Sequence, residues 1–204
     1  MNIKEQIEKL ENEEVEDIFL YKIGTIPVLL TAPHTMIQQR EDGTFKLDEP
    51  YTKAIVRYVS KNINCSYLIK TKDTMIDANK DEIDEFKILL SKIIKENNIK
   101  LVLDIHGSSR DREFDIELGT LNNISADYST INELKESFIE HGIKNIELNN
   151  PFKGGGITRY VYGTTDIDVI QIEINRNYRD ITKIDNLEKV CESLISFINQ
   201  YAKK

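Results

Sequence analysis

Short, continuously apolar runs recur along this chain, separated by segments of helical periodicity, and that alternation limits its fold more than any other feature. Val28-Leu29-Leu30 and Leu101-Val102-Leu103 contain no polar residue, as expected of strands covered on both faces. Ile18–Tyr21, Ser66–Lys70 and Val169–Ile174 read as further strands. Phe114, Ile116 and Leu118 alternate with polar residues, which predicts a half-exposed strand. Ile18–Tyr21 and Pro27–Thr31 are joined by a turn at Gly24. Between these runs lie helical patterns. A helix opens at Pro50 and continues through Tyr51, Ile55, Tyr58 and Val59. Asp81–Asn97 places Ile83, Phe86, Leu89, Leu90, Ile93 and Ile94 on one face. Ile131–His141 reads as a helix stopped by Gly142, and residues 184–201 as a closing amphipathic helix. Residues 1–14 read as a short surface helix, 38–49 as a loop or a small hairpin around Asp42-Gly43, and 151–156 as a flexible loop. Strand–helix alternation of this kind predicts a layered α/β fold with a largely parallel mixed sheet flanked by helices. The length, 204 residues, suits a single domain spanning 1–204.

Composition removes several classes of function. The formal net charge is -8, from 35 acidic and 27 basic residues. That is the reverse of the basic field a nucleic-acid binder carries, so neither nucleic acid nor an anionic membrane surface is expected as a partner. Cys65 and Cys191 lie inside apolar patterns, are too few for a disulfide framework and read as buried free thiols. No run approaches the ~18 apolar residues of a membrane span, and the first residues show no signal-peptide core, so the chain is read as cytoplasmic.

In a largely parallel sheet, sites form at the carboxyl ends of the strands. His34 follows the strand Pro27–Thr31, His106 follows Leu101–Leu103, and Glu173 lies near the end of Val169–Ile174. Two of the protein's three histidines thus stand at strand ends, while His141 stands at a helix C-terminus, where the helix dipole explains it. Two histidines and a carboxylate suit a catalytic zinc with one position left open for water. Asp104, two residues before His106, shares its face and suits the role of orienting that imidazole, or of capping the turn that follows. For a third ligand the residues leave Glu41 and Glu49 open.

Pro27–His34, Asp104-Ile105-His106-Gly107 and Gln171-Ile172-Glu173-Ile174-Asn175-Arg176, with Tyr178 and Arg179 after it, resemble the three motifs of N-formylglutamate amidohydrolases, in that family's order. The resemblance implies a zinc carboxypeptidase-like, phosphorylase/hydrolase-like fold. It also implies one zinc per chain held by His34 and His106, and Glu173 as the general base acting on water. The carboxypeptidase spacing His-x-x-Glu is absent, because Ile37 stands at the fourth position. Lys46-Leu47-Asp48-Glu49-Pro50-Tyr51-Thr52 resembles a Lys-x-x-Glu-x-x-Thr element of the relatives, which favours Glu49 over Glu41 as the third ligand. A glutamate-like substrate calls for arginines that grip carboxylates bidentately. Arg112, Arg159 and Arg176, with Asn175, are the candidates for binding it.

The resulting expectation is a zinc-dependent amidohydrolase cleaving the amide of a small, carboxylate-bearing N-acyl amino acid. The alternatives are a carboxypeptidase-like or γ-glutamyl peptide hydrolase, and a catalytically silent binding domain on the same scaffold.

Overall fold

The apolar runs become the strands of a twisted seven-stranded sheet in the computed structural model, which describes residues 1–40, 42–80 and 82–204. In chain order the strands are β1 (Phe19–Lys22), β2 (Ile26–Ala32), β5 (Cys65–Lys70), β6 (Leu101–Ser108), β7 (Ile116–Gly119), β8 (Ile146–Leu148) and β9 (Asp168–Asn175). A separate two-stranded hairpin, β3 (Gln38–Gln39) and β4 (Phe45–Lys46), lies between β2 and the first long helix. The sheet order is β1-β5-β2-β6-β9-β7-β8. Strands β5, β2, β6 and β9 run parallel to their neighbours, whereas β1 pairs antiparallel with β5, and β7 antiparallel with β9. After β2 the chain adds β5 on one side, then returns to add β6 on the other. The strand order therefore reverses between β2 and β6, and in open α/β sheets the crevice for a ligand opens at such a point.

Helices cover both faces. On one side α1 (Ile3–Asn12), α2 (Thr52–Ile63), α4 (Tyr128–Glu140) and α6 (Ile184–Tyr201) bury Ile7, Ile55, Val59, Leu134, Phe138, Leu194 and Phe197 against Leu30, Leu103 and Ile172. On the other, α3 (Glu85–Glu96) and α5 (Gly156–Thr164) bury Phe86, Leu90, Ile93 and Val161 against Leu29, Leu68, Val102 and Val169. The period of two along each strand divides the apolar residues between these cores. Among the described residues no helix is long and apolar enough to cross a membrane.

Gly24 lies in the connection from β1 to β2, and β5 separates the two strands in the sheet. A Cβ on Gly24 would come within 2.1 Å of the Asn64 carbonyl oxygen, so the connection crosses closely there. Several expectations change. Ile83 is 68% exposed, not on the buried face, because the helix begins only after Asp84, whose side chain accepts from the Lys87 backbone N–H at 2.9 Å. Asp81, the first residue of the predicted helix, lies outside the described residues. β7 is buried throughout rather than half-exposed, because the segment at Lys153 and Gly154 lies over Gly119 on its second face, while β8 pairs along its outer edge. The helix α5 was not foreseen. The glycines before it allow tight packing, with Gly155 and Gly156 pressed against Asn79 and Lys80. The Gly156 N–H donates to the Asn79 carbonyl at 2.8 Å, so the segment read as flexible is pinned. Cys65 and Cys191 are buried and free, as read from the sequence.

Leu103 is fully buried on the central strand β6. Leu103→Ala is expected to cost about 2–5 kcal/mol, read as a lowered midpoint in chemical denaturation at an unchanged slope.

Candidate metal centre

Along β6 and β9 one face stays apolar to the strand ends, through Leu103 and Ile105 and through Ile170, Ile172 and Ile174. The other face changes character halfway. Val102 and Val169 belong to the core under α3 and α5, and after them come Asp104 and His106 on β6, then Gln171, Glu173 and Asn175 on β9. His106 and Glu173 are register partners, as are Asp104 and Gln171. The polar stretch lies at the carboxyl ends of the parallel strands, and His34, just past β2, joins it.

Glu49 bridges the two histidines. Its Oε1 lies 2.9 Å from His34 Nδ1 and its Oε2 3.2 Å from His106 Nδ1. Oε2 also accepts from the Gly107 N–H at 3.0 Å, and Oε1 from Lys46 Nζ at 2.6 Å. The Glu49 N–H donates to the His34 carbonyl at 2.7 Å, so backbone as well as side chain ties this segment to the end of β2. Each imidazole is held from behind by a carboxylate: Asp77 lies 2.8 Å from His34 Nε2, and Asp104 2.9 Å from His106 Nε2. Asp104 is held in turn by Thr31 Oγ1 at 2.6 Å, and Asp77 by the Arg40 guanidinium.

The charges follow from burial and contact. Burial opposes ionisation of Glu49, but His34 and His106 outweigh it and hold the carboxyl well below its usual range. Burial likewise disfavours the charged form of His106, and the carboxylates of Asp104 and Glu49 reverse the effect, leaving it well above a normal histidine. Glu173 is pushed up, first by burial and then, against the pull of His106, by the charge of Glu49.

One cleft of about 580 Å³ contains His34, Glu49, His106 and Glu173, with Asp77, Gln171 and the basic side chains Arg40, Lys46, Lys80 and Lys153 in its lining. One ligand atom from each of His34, Glu49 and His106 lies within 4.8 Å of the others. With both Nε2 atoms engaged by carboxylates, the Nδ1 atoms and Glu49 face one another, and this buried N,N,O donor set fits a divalent metal with oxygen and nitrogen preferences. Glu41, the other ligand left open by the sequence, lies outside the described residues.

The residues read as substrate-binding are not gathered here. Arg112 stacks over Phe152 at 5.0 Å, and Arg176 over Tyr51 at 5.9 Å. Arg159 donates to the Gly154 carbonyl at 3.0 Å. The Asn175 amide donates to the carbonyls of Arg112 and Phe114. Asp77 and Arg40 were missed in the sequence. Asp77 follows β5 at the same carboxyl edge, and that position was the signal available for it. Arg179, seen only as the tail of a motif, is buried. It donates from Nε to Ile174, from Nη1 to Pro50 and from Nη2 to Ser108, all backbone carbonyls. It thereby fastens the ends of β6 and β9 to the segment bearing Glu49. A Cβ on Gly107 would come within 2.4 Å of its guanidinium.

The family model of N-formylglutamate amidohydrolase matches residues 84–178, a range that holds His106 and Glu173 and begins after His34 and Glu49. No curated protein sequence matches the chain. Among solved structures, N-formylglutamate amidohydrolase from Ralstonia eutropha JMP134 superposes with a TM-score of 0.66 at 13% identity, covering 91% of this chain and 98% of that one. A bacteriophage poly-gamma-glutamate hydrolase gives 0.61 at 17% identity, over 96% and 95%. A metallo-carboxypeptidase from Burkholderia cenocepacia gives 0.54 at 9% identity, over 98% and 68%. At such identities these structures share the fold.

Gly107→Ala is expected to displace the Arg179 guanidinium and lower stability by about 2–4 kcal/mol, since several buried hydrogen bonds are lost together. Thermal unfolding of the variant beside Arg179→Lys checks this. Residues 84–178 thus match the N-formylglutamate amidohydrolase family model, and over most of its length the chain shares its fold with the solved N-formylglutamate amidohydrolase and metallo-carboxypeptidase structures.

Proposed function

We propose that this chain is a zinc-dependent hydrolase that cleaves the amide bond of a small, carboxylate-bearing N-acyl amino acid. The observation that carries the proposal is the convergence of His34, Glu49 and His106 in one buried donor set, with Glu173 in the same cleft. His34, His106 and Glu49 would hold the metal, while Asp77 and Asp104 fix the orientations of the two rings. When bound, zinc supplies Lewis acidity, polarising the amide carbonyl and lowering the pKa of water toward about 7.

The chain's own residues supply the rest. Glu173 Oε1 accepts from Gln171 Nε2 at 2.7 Å, which fixes the carboxylate plane. Oε2 is then the oxygen that takes the proton from the attacking water and passes it to the leaving nitrogen, as a general base that becomes a general acid. The raised pKa of Glu173 suits that exchange. Arg40, Lys46, Lys80 and Lys153 give the cleft mouth a positive rim in a chain of net charge -8. That local field recruits the substrate carboxylate, in place of the arginines the sequence suggested. The openness of this basic rim also favours a second reading, a γ-glutamyl peptide hydrolase, and a panel of formyl, acetyl and γ-glutamyl amides separates the two.

Elemental analysis is expected to find about one zinc per chain in the wild type and little in His106→Ala. A metal-free wild type that takes up no zinc on incubation would favour a silent binding domain. Glu173→Gln is expected to retain zinc and lose about 10²–10⁴-fold in kcat. Asp77→Asn, leaving the ligands intact, is expected to weaken zinc affinity about 10–100-fold, measured by competition with a chromogenic chelator.

A further inference from the structure

Glu117 is a fully buried carboxyl that the proposed chemistry does not use. It lies on β7 as the antiparallel register partner of Glu173. Ile116 and Leu118 belong to the core under α2, α4 and α6, so the alternation turns Glu117 to the same sheet face as Glu173. Its Oε1 accepts from the Asn150 N–H at 3.2 Å, and its buried Oε2 has no hydrogen-bond partner. The titratable groups acting on it are Glu173 from β9 and Glu147 from β8, both anionic. Of the cations of the cleft, Lys46 is bound to Glu49 and Arg40 to Asp77. Lys153 lines the cleft on the loop after Asn150.

A carboxylate whose only donors are the backbone at Asn149 and Asn150, with an orphan oxygen and a second carboxylate opposite, is strongly disfavoured in a buried site. We propose that Glu117 is a positioning residue for Glu173: it stays an uncharged acid, so that the pair carries a single negative charge and Glu173 alone is ionised. This inference rests on the hydrolase reading for its catalytic meaning, though not for its physical content. Burial, and then the charge of Glu173, push Glu117 up to about 8, in accord with a pair that loses its second proton only above neutrality. The neutral partner leaves Glu173 ready to accept a proton without adding a charge that would repel an anionic substrate. Because Glu117 holds its proton more tightly folded than unfolded, it stabilises the protein on the acid side. That contribution is lost as pH rises from its ordinary 4.5 through about 8.

The test is a carbon-13 NMR titration of the full chain with labelled glutamate carboxyls, in wild type, Glu117→Gln and Glu173→Gln, without substrate. One carboxyl is expected to titrate near pH 8 in wild type, to vanish in Glu117→Gln, and to move down by about one pH unit in Glu173→Gln. Titration of Glu117 in the ordinary carboxyl range, or a value unmoved by Glu173→Gln, overturns the proposal. Amide hydrolysis is the second readout. The wild-type rate is expected to fall above about pH 8, as the second charge appears, and Glu117→Gln to lose that alkaline limb. An unchanged limb overturns the positioning role. A coupled titration in a wild type that hydrolyses no amide would uphold the single-charge pair and defeat the hydrolase reading, so the two fail separately. Wild type and Glu173→Gln decide the coupling even if Glu117→Gln does not fold.

Discussion

The carboxylate of Glu49 is the junction on which the site depends. A buried negative charge is costly unless surrounded by donors, and Glu49 has them from four directions: His34, His106, the Gly107 amide and Lys46. These donors come from the end of β2, the end of β6 and the small hairpin. Satisfying one side chain therefore fixes three segments that are distant in sequence. The same donor set would suit a divalent metal, because one ligand atom from each of His34, Glu49 and His106 lies within 4.8 Å of the others. Behind it, Arg179 ties the backbone of the Glu49 segment to both central strands.

The polarity switch along one sheet face determines where such a junction can exist. Opposite Asp104, His106, Gln171 and Glu173, the other face continues as Leu103, Ile105, Ile170 and Ile172. The strands thus remain anchored by apolar burial on one side up to the polar residues of the cleft on the other. Functional groups on strands held this way are positioned more rigidly than groups on loops.

That switch is also why so much was legible in the sequence. The fold class followed from apolar runs alternating with helical patterns. His34, His106 and Glu173 were visible because a charged or imidazole residue at the end of an apolar strand stands out against the period of two. Glu49 was visible only through resemblance, since a carboxylate before a helix start has an ordinary dipole explanation. Asp77 and Arg40 escaped because they lie in polar loops, where no periodicity singles out one residue. The arginines chosen for the substrate were near the motifs in sequence, but Arg112 and Arg176 lie over aromatic rings. Which cations line a cleft depends on loop paths that local pattern does not encode. β8 and α5, three and nine residues long, are too short for a period to emerge.

The glycine-to-asparagine seam has a consequence for how the cleft meets a ligand. Gly155 and Gly156 lie too close to Asn79 and Lys80 to admit any side chain, and the Asn79 carbonyl and amide oxygens accept from the N–H groups of Gly156 and Ile157. Two walls of the cleft, one following β5 and the other preceding α5, are thereby joined before anything binds. The entropy of ordering them is lost on folding rather than on association, so a ligand meets a preformed mouth and little of its contact energy goes to shaping it. Whatever enters at this seam meets backbone, which cannot step aside as a side chain does.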